Sequence, residues 1–153
     1  LALMQNPDQR ALLMRDPRQV TIAVEELLRW VTPIQNMNRT ATRDTELRGQ
    51  KIREGDRLLL LYPSANRDAR VFREPFQLDV QRNPNHHVAF GGPGTHFCLG
   101  ASLARLEIKV MFEELFKRMP DLQLSGPVRR LRSNFINGVK EIPVRFTPGP
   151  KSR

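Results

Sequence analysis

The chain's single cysteine lies in a loop that is rich in glycine. The sequence FGGPGTHFCLG runs from Phe90 to Gly100 and contains Cys98, one histidine and four glycines, Gly91, Gly92, Gly94 and Gly100. A helical pattern follows from Leu103, so Cys98 lies where a flexible loop leads into a helix. Glycine lets the backbone bend closely around a bulky neighbour, and the free N–H groups of a helix N-terminus favour a thiolate. A thiolate in such a loop can ligate iron.

Two alternatives concern burial and a different metal. A single cysteine in an intracellular chain is often an inert, buried small hydrophobe, and residue type alone favours that interpretation. A zinc site requires four ligands, and suitable residue types are present at His86, His87, His96 and Cys98. The sequence has no second cysteine and neither a CxxC nor an HxxxH spacing, so it does not favour zinc.

Two further alternatives are a phosphate-binding loop and a nucleophilic cysteine. A phosphate-binding loop carries a lysine and then a serine or threonine after its last glycine, whereas Leu99 and Ala101 flank Gly100. A nucleophilic pair would join Cys98 to His96, but a spacing of two residues usually directs side chains apart. The sequence favours neither of these interpretations.

Glu26 and Arg29 form a second pair with functional chemistry, in the sequence EELLR. Residues three apart on a helix can pair, which usually gives a solvated bridge worth about 0.2–0.5 kcal/mol. The pair lies opposite the helix's apolar stripe, which consists of Val20, Val24, Leu27, Leu28 and Val31. Periodicity alone therefore predicts an exposed pair.

Periodicity and turn residues predict the elements that position these side chains. Residues 6–32 indicate two helices, and residues 34–61 indicate short strands with turns around Gly49 and Gly55. Residues 62–87 are polar and irregular, which is typical of a functional or wrapped connection. Asn137 and Gly138 lie between apolar runs and predict a hairpin turn. The strongest helix follows the glycine loop, with an apolar stripe predicted to be buried at Leu103, Leu106, Val110, Met111, Leu115, Phe116 and Met119.

Composition narrows the class of protein and of partner. The 153 residues, 39% of them hydrophobic, are enough for one domain, and the net charge of +9 favours an acidic partner. The basic residues form no dense cluster, and one Trp and one Tyr offer few stacking surfaces, so the sequence argues against nucleic acid. Without a long apolar run, a leader or a second cysteine, the sequence predicts a cytoplasmic protein that does not bind membranes. Because residues 1–4 resemble the middle of a helix, we expect the chain to be part of a longer protein.

Four stretches together resemble the cytochrome P450 family of haem-thiolate monooxygenases. They occur in the family's order and spacing: EELLR with Glu26 and Arg29, NRTATRDTELRGQKIREGD at 38–56, ANRDARVF at 65–72, and AFGGPGTHFCLGASLARLE at 89–107. The loop signature around Cys98 is highly specific. The resemblance covers all 153 residues but only the C-terminal part of such a protein. It implies a mainly α fold with small β-sheets (α+β), incomplete on its own, in which residues 1–153 are the haem-ligating portion of one domain.

The resemblance assigns roles residue by residue. It implies that Cys98 is the proximal thiolate ligand of the iron of haem b, and that His96 and Arg39 bind the haem propionates. It implies that Glu26 and Arg29 are a buried pair supporting the cysteine loop, contrary to the prediction from periodicity. The loop beneath the ring would be formed by Phe90, Gly91, Gly92, Gly94 and Gly100.

The chain departs from the family's usual pattern at two places. Phe90 precedes Cys98 by eight residues, one more than in the commonest loop, with Pro93 in the added space. This longer loop resembles a bacterial subgroup that hydroxylates the ends of sterol side chains and branched fatty acyl chains. Gln77 stands where the family usually has a basic third member of the Glu–Arg network, and Arg82 is the candidate substitute.

The resemblance also implies substrate and partners. The full protein would insert one oxygen atom of O2 into an apolar C–H bond, using electrons from a ferredoxin and its reductase. Basic residues would dock the acidic ferredoxin, including Arg105, Lys109, Lys117 and Arg118. Two segments would reach the substrate, with Ile34 and Met37 in one and Phe135, Ile136 and Val139 in the other. The alternative interpretation is that both segments are apolar because of ordinary strand packing. If they do reach the substrate, their apolar character favours a sterol or branched lipid.

The family's oxygen-activating acid and alcohol residues lie on a central helix that this sequence does not contain. We therefore expect the 153 residues alone to be inactive. The alternative hypothesis is that the chain is a non-catalytic haem-binding protein or an inactive remnant.

Overall fold

The structure, a computed structural model, describes residues 1–149. These residues form mainly helices with small antiparallel sheets, which confirms the predicted α+β class. The helices are α1 (Ala2–Gln5), α2 (Pro7–Arg15), α3 (Val20–Val31), α4 (Tyr62–Ala65) and α5 (Ala101–Arg118), with a 3-10 turn at Pro17–Gln19 before α3. No helix of the described residues combines the length and apolar character needed to cross a membrane.

Eight short strands pair two by two. They are β1 (Asn36–Thr40), β2 (Thr45–Leu47), β3 (Gln50–Ile52), β4 (Arg57–Leu61), β5 (Gln123–Leu124), β6 (Arg129–Arg130), β7 (Val139–Glu141) and β8 (Val144–Arg145). All pairs are antiparallel: β1 with β4, β2 with β3, β5 with β8, and β6 with β7. The predicted turns at Gly49 and Gly55 are confirmed, since φ is +81° and +85° there.

Helix α3 is the centre of the core. Its stripe is buried as predicted at Val20, Val24, Leu27 and Leu28, whereas Val31 is exposed. The long segment between α4 and α5 has no helix or strand from Asn66 to Gly100 and wraps against this core, burying Phe72, Leu78, Val80 and Ala89. Irregular backbone can be held this way when its apolar side chains are buried and its polar groups are paired.

The predicted burial of the α5 stripe is wrong over the first part of the helix. Leu103, Leu106, Val110 and Met111 are 47–60% exposed. The side chains of Ile108, Phe112 and Phe116 face α3 instead, where they pack against the buried residues around Leu27 and Val24. An apolar stripe predicts only that a face prefers burial, and the described residues provide no element that covers this one.

The predicted hairpin turn at Asn137 and Gly138 is also wrong. Neither residue has the positive φ that a tight Asn-Gly turn requires. The Asn137 N–H instead donates to the Pro33 carbonyl at 2.8 Å, and the Asn137 amide donates to the Val31 carbonyl. Contacts with the end of α3 therefore override the local turn preference, and β7 pairs with β6 across a longer connection.

Candidate functional site

The cysteine loop is closed at its base by backbone hydrogen bonds. The Cys98 N–H donates to the Phe90 carbonyl at 3.0 Å, and the Gly91 N–H donates to the Val88 carbonyl at 2.9 Å. Gly91 has a φ of +88°, which a residue with a side chain rarely adopts. The Ala101 N–H donates to the Cys98 carbonyl at 3.1 Å, where α5 begins. The loop thus holds Cys98 exposed at the N-terminal end of the helix.

An open and mainly apolar cavity of about 550 Å³ lies beside Cys98. The loop contributes one wall, the turn after α3 and strand β1 contribute another, and the start of α4 closes a corner. A single thiol, a guanidinium, an imidazole and a phenol are the polar side-chain groups on a lining otherwise formed by apolar side chains and glycine. The lining residues are Pro33, Ile34, Met37, Arg39, Tyr62, Ala89, Phe90, Gly91, His96 and Cys98.

A second cavity of about 520 Å³ shares Arg39, Tyr62, Gly91 and His96 with the first. Gly92 and Gly94 line this second cavity from the loop. Arg39 and His96 are both exposed. The Arg39 guanidinium and the His96 imidazole thus line both cavities, and these donors suit an apolar ligand with anionic substituents.

Glu26 and Arg29 form a fully buried ion pair. Their side chains are 0% exposed, and the Arg29 Nε and Nη2 donate to the two Glu26 oxygens, each at 2.7 Å. Arg29 also donates to the backbone carbonyls of Asn66, Pro75 and Gln77, which lie on the irregular segment. Periodicity was wrong about this pair because that segment covers the face of α3 opposite the apolar stripe.

Arg82 supplies the third member of this network. Its Nε lies 3.0 Å from a Glu26 carboxylate oxygen, while Gln77 contributes only its backbone carbonyl, to Arg29 and to Arg82. Arg82 also donates to the carbonyls of Arg73 and Glu74. The expectation that Arg82 substitutes for a basic residue at Gln77 is therefore confirmed by its contacts.

Asn66 connects the ion-pair network to the cysteine loop. Its amide donates to the Thr32 hydroxyl at 2.9 Å, and its side-chain oxygen accepts the Val88 N–H at 2.8 Å, two residues before Phe90. Thr32 ends α3 in the left-handed region with a φ of +45°, and its hydroxyl donates to the Arg29 carbonyl at 2.7 Å. One buried side chain thus holds both the chain leaving α3 and the chain approaching Cys98.

The structure brings together most of the predicted site residues. Cys98, His96, Arg39, Phe90 and Gly91 share one cavity with Ile34 and Met37, and Gly100 is the residue immediately before α5. Phe135, Ile136 and Val139 are exposed and do not line this cavity. Ile136 forms an isolated bridge with Ile34, so the two predicted substrate segments do lie side by side. Their contact with substrate stays a prediction.

The structure does not support the alternative of a zinc site. His87 contacts Glu25 with one ring nitrogen and the Ala89 N–H with the other. Within residues 1–149, no three His, Cys, Asp or Glu side chains approach closely enough to hold a metal ion together. This part of the chain therefore offers no three-residue donor set for a metal such as zinc.

Three residues at the site escaped the sequence analysis. Asn66 falls inside the ANRD stretch used for the resemblance, so a role for its side chain could have been sought there. Tyr62 gave no signal, because its place in the lining depends on the pairing of β1 with β4. His87 was weighed only as a metal ligand, and the acceptor role of its ring follows from the fold of residues 87–89.

The cavity beside Cys98 fits the haem that the resemblance implies. A flat apolar macrocycle requires apolar walls, which this lining provides. It also requires a loop that turns sharply beside it, and Gly91 allows that turn because a residue with a side chain rarely adopts its φ of +88°. The single thiol would supply one soft ligand, and the Arg39 guanidinium with the His96 imidazole would supply hydrogen-bond donors for two carboxylates.

Comparison with known proteins agrees with this geometry. The cytochrome P450 family model matches residues 18–122. Curated relatives include cytochrome P450-terp of a Pseudomonas species, 48% identical over 96% of this chain, and a steroid C26-monooxygenase of Mycobacterium tuberculosis, 51% identical over 97%. A methyl-branched lipid omega-hydroxylase of Mycobacterium bovis is 49% identical over 96% of this chain. The chain spans 34%, 40% and 35% of the lengths of these three proteins, respectively.

Solved structures of cytochrome P450 proteins also match the fold of this chain. A cytochrome P450 of Mycobacterium marinum, determined in complex with pseudoionone, superposes with a TM-score of 0.91 at 44% identity. The match covers 95% of this chain and 35% of that protein. The family model, the curated relatives and the solved structure all point to the same family as the sequence signature around Cys98. The chain belongs to the cytochrome P450 family.

Proposed function

We propose that this chain is the C-terminal, haem-ligating part of a longer monooxygenase that hydroxylates an apolar substrate. The supporting observation is the position of Cys98, the only thiol of the chain, in an apolar cavity that also holds Arg39 and His96. The match covers only 34–40% of the lengths of the three curated relatives, which supports the view that further segments complete the active site.

Five of the lining residues would hold haem b. Cys98 would provide the thiolate ligand of the iron, Arg39 and His96 would bind the propionates, and Phe90 and Gly91 would lie against the ring. When bound, haem iron with a thiolate ligand supplies the activation of O2. The protein's contribution is to hold the thiolate in a closed loop, to neutralise the propionates and to surround the ring with apolar side chains.

The test of the ligand uses the full-length protein that contains this chain. The reduced protein with carbon monoxide should show the strongly red-shifted Soret band of thiolate ligation, and Cys98→His should abolish it. Cys98→Ser is a second variant that removes the thiolate with little change in side-chain volume. If either variant keeps the red-shifted band, the assignment of Cys98 is wrong.

We propose a sterol or a branched lipid as the substrate. Ile34 and Met37 line the cavity, and an ionised substrate group beside them would lose its hydration without a partner. Relatives named for steroids and for methyl-branched lipids support the same class. A panel of sterols, fatty acids, terpenes and small aromatics should shift the Soret band of the ferric protein for the first two classes. A response to small polar aromatics alone would contradict this proposal.

We propose a ferredoxin, reduced by its reductase, as the electron donor, bound through basic side chains. On α5, Arg105 pairs with Glu25, Lys109 with Glu113 and Arg118 with Glu114, so much of this helix's charge is balanced within the chain. Lys117 is exposed at the end of α5 and supports the proposal more directly. The rate of association should fall as salt is added. A rate independent of ionic strength would contradict docking by charge.

A further inference from the structure

Glu25 organises a second ionic cluster, on the side of α3 that faces α5. The Arg105 Nε and Nη2 donate to the two Glu25 carboxylate oxygens at 2.7 and 2.9 Å, a two-point pairing. The His87 Nε2 lies 3.0 Å from a Glu25 oxygen. The cluster therefore joins three elements: helix α3, helix α5 and the segment that leads into the cysteine loop.

The contacts of His87 determine its tautomer. The side chain is 2% exposed, and its Nδ1 accepts the Ala89 N–H at 3.1 Å. Because a nitrogen that accepts a hydrogen bond carries no proton, the proton of the neutral ring is on Nε2, which donates it to Glu25. His87 thus fixes the backbone at Ala89, one residue before Phe90.

Phe90 is contacted by this cluster at both its ring and its backbone. The guanidinium carbon of Arg105 lies 4.7 Å from the centre of the Phe90 ring, within the range of a cation–π contact. The His87 ring lies 6.1 Å from the same ring, centre to centre. The Phe90 carbonyl accepts the Cys98 N–H. A displacement of Phe90 would therefore move Gly91, the next residue in the chain, and also Cys98, whose N–H is bound to the Phe90 carbonyl.

We propose that Glu25, Arg105 and His87 are positioning residues that hold Phe90 and the cysteine loop in place and balance the charge behind them. This inference rests on the proposed function, since it assigns these residues to the thiolate side of the haem site. Its consequence is that the cluster sets how well the Cys98 thiolate stabilises each oxidation state of the bound iron.

The ionisation of the cluster is consistent with a balanced charge. Burial disfavours the charged form of Glu25, but the hydrogen bond and positive charge of Arg105, together with the contact to His87, outweigh burial and lower the pKa of that carboxyl. The hydrogen bond from Glu25 raises the pKa of Arg105. Burial lowers the pKa of His87, and the positive charges of Arg105 and Arg29 act in the same direction against the opposing effect of Glu25. Near neutral pH the cluster therefore holds one negative charge, one positive charge and a neutral imidazole.

Single substitutions in the holoprotein should shift the reduction potential in opposite directions. Glu25→Gln leaves the Arg105 cation unbalanced behind Phe90, which favours the reduced iron, so the potential should become more positive. Arg105→Gln leaves the Glu25 carboxylate unbalanced, so the potential should become more negative. The double variant Glu25→Gln/Arg105→Gln removes both charges and should return toward the original potential.

The matched control is Arg129→Gln, which removes one arginine of an exposed pair with Glu141 in β6 and β7. Its potential should stay unchanged. Shifts of the same sign in Glu25→Gln and Arg105→Gln, or shifts no larger than that of Arg129→Gln, would overturn the charge-balance proposal. A general loosening of the loop cannot produce opposite signs that cancel in the double variant.

A readout that does not use haem tests the positioning itself. Nitrogen-15 NMR of the protein without haem should find the His87 proton on Nε2, and Glu25→Gln should move the amide signals of Ala89 and Cys98 more than Arg129→Gln does. A proton on Nδ1, or equal movements in both variants, would overturn the positioning role. If the unsubstituted protein with haem did not show the red-shifted carbon monoxide band at all, the proposed function would be refuted. The NMR results would still test the positioning role, because they are measured without haem.

Discussion

Two adjacent carboxylates of α3, Glu25 and Glu26, serve clusters of different kinds. Glu26 is 0% exposed and shares its oxygens among Arg29, Arg82, the Asn85 amide and the Asp79 N–H. The Glu25 side chain is 27% exposed and pairs with Arg105 and His87. Consecutive positions on a helix point about 100° apart, so one glutamate faces the irregular segment and the other faces α5.

The two clusters differ in what they can tolerate. The Glu26–Arg29 pair at the centre of the first cluster is sealed from water, so loss of Arg29 deprives the buried Glu26 carboxylate of its two-point partner. The Glu25 cluster can recruit water, because both Glu25 and Arg105 are partly exposed. We therefore regard the Glu26 cluster as a fixed support of the fold and the Glu25 cluster as the adjustable support of the cysteine loop.

The largest expected effect comes from breaking the sealed cluster. Arg29→Ala should lower the free energy of unfolding by about 3–5 kcal/mol, because the buried Glu26 carboxylate would keep only Arg82 as a charged partner and the carbonyls of Asn66 and Pro75 would lose the Arg29 donor. Urea denaturation measures this effect. A loss comparable to that of Arg129→Gln, whose pair is exposed, would contradict the assignment of a sealed network.

A smaller effect is expected from the partly exposed cluster. Glu25→Gln should lower the free energy of unfolding by about 1–3 kcal/mol, since charge-assisted hydrogen bonds are lost but water can solvate the freed Arg105. The same denaturation series measures it. If Glu25→Gln proved as costly as Arg29→Ala, the difference between the two clusters would not hold.

The smallest expected effect is a dependence on pH. Because the pKa of His87 is lowered by folding, the unfolded chain binds more protons once the pH falls below the usual histidine value of about 6.5. Stability should therefore be complete above that pH and decline below it, by at most about 1.4 kcal/mol per pH unit for this one group. Protonation of Nδ1 would also remove the acceptor of the Ala89 N–H.

The matched variant for the pH dependence is His87→Asn. Its side-chain oxygen can still accept the Ala89 N–H, but it has no group that titrates in this range. Acid denaturation of this variant should lack the decline that starts near pH 6.5. An identical decline in both proteins would assign the dependence to another group.

Local patterns predicted the elements well and their environments less well. The helices other than α4, the turns at Gly49 and Gly55 and the irregular segment from Asn66 onward were predicted, because periodicity and turn residues act over a few neighbours. The short helix α4 was missed, since it lies in a stretch predicted to be irregular. The burial of Glu26 and the exposure of Leu103 were not, because each depends on which distant segment covers that face. The turn expected at Asn137 failed for a related reason, since its donors are used by Pro33 and Val31.

The sequence by itself determined the residue types and spacings of the site: Cys98 in a glycine loop ahead of a helix, Glu26 three residues before Arg29, and the resemblance that assigned Arg39 and His96. Only the tertiary structure decided that Arg82 joins Glu26, that Asn66 connects α3 to the loop, and that Glu25 reaches Arg105 and His87. The physical reason is that hydrogen bonds and close ion pairs need their atoms about 3 Å apart. These partners lie between 22 and 80 residues apart in the chain, so only the fold brings them to that distance.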